Sequence, residues 1–314
     1  MNVLDRFLNY VTFDTQSDEE SATCPSTAKQ KVLGAALVEE MKAIGIADAF
    51  MDENGYVYGT VPGDPNLPTI GLIAHMDTAP GANVKPRVVE FDGSDVCLNE
   101  EKGMYLSAND YAYLNNCVGK HLVVTDGNTL LGADNKAGVA EIMACAEYLI
   151  QNKPRHATLK IGFTPDEEIG RGADEFDVEG FGADYAYTVD GGELGGVEYE
   201  TFNAAAAIWE VNGFNVHPGS AKDTMINAIL VAMEINSMLP AGDVPSMTEN
   251  YEGFFHLTDI SGTVEKTTVS YIIRDHDTAL FEHRKQTMRH IEELINQKYG
   301  PGTAKLSIRE QYRN

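Results

Sequence analysis

Four short apolar stretches of this chain each run up to a histidine or an acidic residue. Apolar runs bounded by polar residues are typical of strands buried in a parallel sheet. Open α/β sheets bind ligands outside the carboxyl ends of their strands, so residues distant in sequence meet at one edge. We therefore expect four side chains to lie close together. The stretches are residues 70–74 before His75, 129–133 before Asp134, 160–167 before Glu168 and 185–189 before Asp190.

Several carboxylates gathered around one imidazole would repel one another unless a cation compensates their charge. Histidine and carboxylate side chains are also common ligands of zinc. The four strand ends therefore predict a metal site, which we expect to hold a dinuclear zinc pair.

Each of these positions also has a local explanation when it is considered alone. His75 could be a buried histidine bonded to a neighbouring carboxylate, and Asp134 could cap the helix that follows it. Glu167 and Glu168 could form a solvated acidic turn, and Asp190 could be a turn residue before two glycines. Their joint occurrence at strand ends, in a sequential α/β order, favours the metal site.

Length, charge and cysteine usage limit the classes of protein to consider. A chain of 314 residues exceeds the usual size of one hydrophobic core, so we expect two domains. The net charge of −25 argues against binding nucleic acid or an anionic membrane. No signal-peptide pattern or membrane-spanning apolar stretch is evident. The four cysteines lack a CxxC spacing, as expected of reduced thiols in a cytoplasmic protein.

The first part of the chain alternates predicted strands and helices. Ser26 and Thr27 are expected to cap a helix that runs to about Gly45, and Asn54-Gly55 to turn a hairpin. Residues 80–120 are irregular in composition and predict an inserted flap or elaborated loop. A further helix is expected to start near Lys136. This order predicts an α/β domain with a doubly wound, mostly parallel sheet.

The order of predicted strands and helices changes from about Gly195. Two strands, a helix, a strand pair, a second helix and a last strand are expected, which suits a small α+β domain lying over the first. The predicted segments are 197–202, 204–213, 221–238, 256–275, 278–298 and 303–312. We place the boundary between residues 198 and 206, which gives domains 1–202 and 203–314.

Seven motifs, in this order and spacing, resemble the co-catalytic dinuclear zinc exopeptidases, and among them the tripeptide aminopeptidases. They are AHMDTAP, GADNKAGVAEIM, FTPDEEIGRGA, YTVDGG, NVHPGSAK, EGFFHL and YIIRDHD, and the match runs essentially from end to end. The resemblance implies a cytoplasmic metallo-exopeptidase that removes the first residue of a tripeptide. It also implies a catalytic domain with an inserted lid of the kind that often mediates homodimers.

Roles in the metal centre follow from the resemblance residue by residue. His75 and Asp190 are implied to hold one zinc, and Asp134 to bridge the pair, with a cis bond to Asn135. Glu168 is implied to belong to the second zinc and Glu167 to be the general base. Asp77, two residues after His75, is implied to orient that imidazole.

Three residues of the predicted lid are implied to contact substrate. His217 resembles a histidine that helps polarise the scissile carbonyl, and Arg274 one that grips the terminal carboxylate of the peptide. Asn227 is a further candidate for the carboxylate subsite. From the residues alone, His217 could be a loop histidine and Arg274 could pair with Asp275.

One part of the family pattern is missing. None of the eight histidines stands in the H-G-x-H-E motif that completes the second zinc site. We therefore expect an incomplete catalytic domain, with only Glu168 and Asp134 at the second zinc and little or no turnover. Two alternatives remain open: a zinc-dependent dipeptidase or N-acyl amino acid deacylase on the same fold, and a non-catalytic remnant.

Overall fold

The computed structural model describes residues 1–79, 84–192 and 194–314. These residues form two compact units, Met1–Leu194 and Gly195–Asn314. Residues 197–202, which were expected to form a strand, form none. The first strand of the second unit begins at Asn203 instead.

The first unit is built on a five-stranded sheet with strand order β1-β2-β8-β3-β9. The three strands β8, β3 and β9 run parallel, whereas β1 and β2 form an antiparallel hairpin at one edge. The α/β prediction with parallel elements is thus confirmed, and the hairpin turns at Gly55, whose φ of 89° favours glycine. The strands are β1 (Phe50–Met51), β2 (Val57–Val61), β3 (Ile70–His75), β8 (Leu159–Thr164) and β9 (Tyr185–Thr188).

Helices cover both faces of this sheet. On one face the apolar sides of α2 and α3 pack against β2, β3 and β8 to form the main core, and α1 packs on α3. On the other face Tyr56, Tyr58 and Phe181 form a smaller aromatic cluster under α4. The alternation of Val57 and Tyr58 along β2 supplies one side chain to each face. The helices are α1 (Val3–Tyr10), α2 (Gln30–Ile44), α3 (Ala133–Asn152) and α4 (Val178–Phe181).

The start of α2 differs from the prediction. The helix begins at Gln30, its N-cap residue is Lys29, and neither Ser26 nor Thr27 caps it. The Ser26 hydroxyl instead donates a hydrogen bond to Asp166, a partner 140 residues away. Serine is a favoured capping residue, but Ser26 makes a long-range hydrogen bond instead, which the local sequence pattern cannot reveal.

The predicted inserted loop is more regular than its composition suggests. Strands β4 (Arg87–Glu90) and β7 (His121–Val124) pair antiparallel, and β5 (Val96–Asn99) pairs with β6 (Met104–Leu106). Phe91, Val96, Leu114 and Cys117 form a small separate core beneath them. Residues 80–83 of the predicted loop lie outside the described residues.

The second unit is a four-stranded antiparallel sheet with strand order β11-β12-β10-β13 and two packed helices. Trp209, Ile235 and Phe281 lie at the centre of its core. The helix predicted from residue 221 begins only at Ala228, because Asn227 caps it. The elements are β10 (Asn203–Asn212), α5 (Ala228–Met238), β11 (Phe254–Gly262), β12 (Lys266–Asp275), α6 (Thr278–Tyr299) and β13 (Ala304–Tyr312).

A search of the described helices finds none with the length and apolar character required to cross a lipid bilayer.

Candidate metal centre

Three neighbouring parallel strands bring the predicted ligands to one sheet edge. His75 is the last residue of β3, which lies between β8 and β9. The chain leaves β8 at Thr164 and reaches the Glu167–Ile169 3₁₀ helix, while Asp190 follows closely after β9. Asp134 lies at the start of α3, which packs against β3.

Distances around the His75 ring show that the predicted side chains meet. Its Nε2 lies 2.9 Å from Oδ1 of Asp134, 3.7 Å from Oε2 of Glu167 and 3.8 Å from Oδ2 of Asp190. Two sets of three residues could each hold a metal ion. Within each set every residue offers one ligand atom, and these three atoms lie within 4.8 Å of one another; His75 belongs to both sets. The sets are His75, Asp134 and Glu168, and His75, Glu167 and Asp190.

The His75 ring is held from its other side. Its Nδ1 lies 3.0 Å from the backbone oxygen of Asp77 and 3.3 Å from Oδ1 of the same residue. Both side chains are almost fully buried. An Nδ1–H donated to Asp77 leaves Nε2 as the free ligand atom, facing the acids.

Charge around His75 favours a cation. Burial by itself lowers the pKa of His75, but the hydrogen bond with Asp77 and the charges of Asp77, Glu167 and Asp190 raise it to about 9. Burial also raises the pKa of Glu167, opposed by His75 and reinforced by Asp190, Asp77 and Glu168. The pKa of Asp190 is raised by burial and by Asp134, against the effect of His75. A divalent ion would compensate this excess of negative charge, so the donor set fits a metal.

The loop that carries the two glutamates is fixed by Asp77. Its buried carboxylate accepts hydrogen bonds from the N–H of Glu167, over 2.9 Å, and of Glu168, over 3.1 Å. A residue expected only to orient the histidine therefore also binds the backbone of both acids. The sequence spacing of His75 and Asp77 indicates the first contact, but it gives no sign of the second.

The turn at Asp134 contains two further buried residues, Asn135 and Lys136, whose hydrogen-bond partners the sequence did not indicate. The peptide bond between Asp134 and Asn135 is cis, as the resemblance implied. The Asn135 side chain donates to the Val189 oxygen over 2.9 Å, next to Asp190, and Lys136 Nζ donates to the Phe13 oxygen over 2.7 Å. Their positions inside GADNKAG marked a special turn, but their partners lie far away in sequence.

A cavity of about 390 Å³ opens beside the centre. Asp134 and Glu168 form part of its wall, and the remaining lining is largely apolar. The apolar lining includes Val84, Leu130 and Leu131. This space could accept a small organic group next to the metal ligands.

The three predicted substrate contacts belong to the second unit and have local partners there. His217 is exposed and its Nδ1 accepts a hydrogen bond from the Gly219 N–H over 3.1 Å. Asn227 Oδ1 accepts from the N–H groups of the first turn of α5, so this residue has a capping role.

Arg274 lies on β12, where its guanidinium donates to the Ile273 oxygen over 3.0 Å and to Gln311 Oε1 over 3.1 Å. Asp275, the alternative partner, is not among the hydrogen-bond partners of Arg274 in the described part of the chain, and its carboxylate binds Arg284 at 2.7 Å.

Comparisons with known proteins agree with this architecture. A family model described as a peptidase dimerisation domain matches residues 199–303. Peptidase T of Alkaliphilus oremlandii is 54% identical over 322 aligned positions, which cover 100% of this chain and 79% of the relative. Peptidase T of Clostridium novyi is 53% identical over 319 aligned positions, which cover 99% of this chain and 78% of the relative.

Solved structures share the fold. The aminopeptidase PepT from Bacillus cereus matches with a TM-score of 0.74 and 22% identity, over 99% of this chain and 76% of that one. A tripeptidase from Staphylococcus aureus matches with a TM-score of 0.72 and 20% identity, over the same shares. A dinuclear metal-binding peptidase of the M20 family from Bacillus subtilis matches at 0.60 and 14%, over 99% and 74%. With the sequence identity to curated relatives, these findings show that the chain belongs to the peptidase T family of M20 peptidases.

Proposed function

We propose that this protein is a metal-dependent aminopeptidase that hydrolyses the first peptide bond of tripeptides. One observation carries the proposal: His75 stands at the centre of two carboxylate sets at the carboxyl edge of a parallel sheet. Peptidases T are 53–54% identical to this chain in sequence, and a structural neighbour is a tripeptidase. The alternatives of a dipeptidase or a deacylase keep the same centre and differ only in substrate.

The proposed metals are two zinc ions. His75 and Asp190 would hold one ion, Glu168 would serve the other and Asp134 would lie between them. The two donor sets that share His75 support a centre of this kind, and a related fold is described as dinuclear. Zinc bound there would supply Lewis acidity and would lower the pKa of a water molecule.

Glu167 is the proposed general base. Its Oε2 lies 3.7 Å from His75 Nε2, and its side chain is 54% exposed. The Glu167 carboxylate therefore faces both the centre and solvent. It would take a proton from water as the water oxygen attacks the carbonyl carbon. When the C–N bond breaks, the same carboxyl group would return the proton to the leaving amine.

The second unit is proposed to recognise the peptide. His217 would donate to the carbonyl oxygen as negative charge develops on it. The guanidinium of Arg274 suits the terminal carboxylate because it presents two parallel N–H donors, and Asn227 is a further candidate for that subsite. We also propose that residues 203–314 act as lid and homodimer domain, in line with the family model that matches them.

Replacement of Glu167 tests the proposed function. If the unmodified chain cleaves a tripeptide, Glu167→Ala should lower that turnover by roughly 10²- to 10⁴-fold, because proton transfer is lost. Zinc stoichiometry, measured by metal analysis after gel filtration, should stay that of the unmodified chain. Glu179→Gln on α4 is the matched control, since Glu179 is an exposed acid outside the centre. Unchanged turnover in Glu167→Ala would contradict the base assignment.

Substrate class and metal content need separate measurements. A panel of di-, tri- and tetrapeptides beside N-acyl amino acids should show tripeptides as the best substrates. Titration of the metal-free chain with zinc reports how many ions bind and how tightly the second one is held.

The four cysteines are free thiols, which supports the proposed cytoplasmic location.

A further inference from the structure

Asp166 directly precedes the two glutamates. Its carboxylate is hydrogen-bonded by Ser26, which lies just before α2, and by Gln30, the first residue of α2. Its carboxylate is fully buried. Oδ2 accepts a hydrogen bond from the Ser26 N–H over 2.6 Å, and Oδ1 accepts from the Ser26 hydroxyl over 2.5 Å. The Gln30 amide donates to the same Oδ1 over 2.6 Å. Three donors therefore satisfy one buried carboxylate.

Gln30 also binds the backbone of Asp166. Its Oε1 accepts from the Asp166 N–H over 3.2 Å, so both ends of the amide are used on one residue. Asp166 has a φ of 57°, in the left-handed region that non-glycine residues adopt sparingly. The side chains of Ser26 and Gln30 thus hold a backbone turn that the local sequence does not favour.

The same three-residue loop is held from the opposite side by Asp77, which binds the N–H groups of Glu167 and Glu168. Residues 166–168 therefore lie between buried side chains from the start of α2 and from the end of β3. Glu167 and Glu168 are exposed at the centre, and the Glu168 side chain accepts a hydrogen bond from the Ala79 N–H over 3.0 Å. Their position depends on this buried support.

We propose that Ser26 and Gln30 are positioning residues for the metal centre, acting through Asp166 on the Glu168 ligand and the Glu167 base. The inference rests on the proposed function for the role of Glu167, whereas the effect on Glu168 concerns metal binding alone. A merely structural role would change how much of the chain is folded. A positioning role changes the affinity and geometry of the centre in each folded molecule.

Cobalt titration of the metal-free chain measures this directly, because Co²⁺ absorption bands report the geometry of its ligands without any turnover. Ser26→Ala removes one donor to Asp166, and Gln30→Glu sets a carboxylate against the Asp166 carboxylate. We expect about tenfold weaker Co²⁺ binding for Ser26→Ala and up to about 100-fold for Gln30→Glu, with altered bands. Ser26→Thr keeps the hydroxyl and should restore both affinity and spectrum.

Matched controls carry the same chemical changes elsewhere. Ser21→Ala removes a hydroxyl that bonds only Thr23 among the described residues, and Gln151→Glu adds a charge on the exposed end of α3. Both should bind Co²⁺ like the unmodified chain. Thermal unfolding of every variant shows which preparations are folded, and Ser26→Ala, the milder change, decides the outcome if Gln30→Glu does not fold.

Tripeptide turnover supplies the second readout. If the unmodified chain is active, kcat per metal-loaded molecule should fall about tenfold or more in Ser26→Ala, with KM within about twofold. Parent-like Co²⁺ affinity and bands in both variants would overturn the inference, even if their stability fell. If the unmodified chain binds Co²⁺ but cleaves no tripeptide, the proposed function fails while the cobalt arm still decides the inference. A chain that binds no Co²⁺ overturns both.

Discussion

The carboxylate of Asp77 accepts a hydrogen bond from the backbone N–H of Glu167 over 2.9 Å. This contact joins the end of β3, which carries His75, to the loop after β8, which carries the acids. The same carboxylate faces His75 Nδ1. One buried side chain therefore fixes the position of the imidazole relative to the backbone of both glutamates.

Replacement of Asp77 by asparagine should weaken zinc binding by about 10- to 100-fold, since such supporting residues typically contribute this much. The asparagine side chain keeps the shape of aspartate but replaces one acceptor oxygen with an NH₂ donor. This donor would face either a backbone N–H or the imidazole. Isothermal titration of the metal-free variant measures the change. Asp184→Asn is the control, because Asp184 also accepts a backbone N–H, from Thr69, but near the opposite ends of the strands. Equal loss in both variants would contradict a specific role for Asp77.

The sequence predicted that His75 and the acids lie close together because the carboxyl ends of parallel strands meet at one sheet edge. His75 and Asp190 follow apolar runs that became β3 and β9, and the parallel pairing of these strands follows from the alternation of elements. The rule uses only local pattern and topology. It therefore places ligands at one edge without any knowledge of their distances.

The supporting contacts could not be predicted in the same way. Ser26 looked like a helix cap, but its hydroxyl binds Asp166, and Asn135 looked like part of a turn, but it binds the Val189 oxygen. These partners are separated by more than fifty residues, and a single sequence holds no local signal for such pairs. Similarly, residues 197–202 have an apolar and polar alternation typical of a strand but no neighbouring strand to pair with in the described part of the chain.

Arg6 should be a large contributor to the stability of the first unit. Its side chain is 1% exposed and its guanidinium binds Glu40 at 2.6 Å and Glu147 at 2.7 Å. Arg6→Met should lower the free energy of unfolding by about 3 kcal/mol, because it removes the guanidinium that two partly buried carboxylates share. Among the described residues, Glu40 would keep only the Tyr10 hydroxyl as a partner, and Glu147 only the N-terminal amine and Gln151. Urea denaturation followed by far-ultraviolet circular dichroism measures this. Arg155→Met, which removes an exposed ion pair with Asp64, should change the stability little.

The same network predicts a pH dependence. The hydrogen bond from Arg6 lowers the pKa of Glu147 in the folded state, with burial acting in the opposite direction. A carboxyl group whose pKa is lowered by folding stabilises the fold above its unfolded pKa, roughly 4.3, and loses that effect as pH falls through the folded pKa. The stability difference between the parent chain and Arg6→Met should therefore be largest near neutral pH and shrink below about pH 4. A difference independent of pH between neutral and acidic buffers would show that the ion pairs contribute little.

Trp209 is the only tryptophan of the chain, and it lies fully buried in the core of the second unit. Its fluorescence should therefore follow the unfolding of the second unit, whereas circular dichroism follows the unfolding of both units.

Among the described residues the indole Nε1 of Trp209 has no hydrogen-bond partner, so part of its burial is unfavourable. Trp209→Ala should cost about 3–5 kcal/mol through the cavity it leaves. Trp209→Phe should cost clearly less, since phenylalanine fills part of the space and removes the unpaired donor. Guanidinium denaturation followed by circular dichroism compares the two variants with the parent chain, and equal losses would contradict the argument that the filled volume determines the cost.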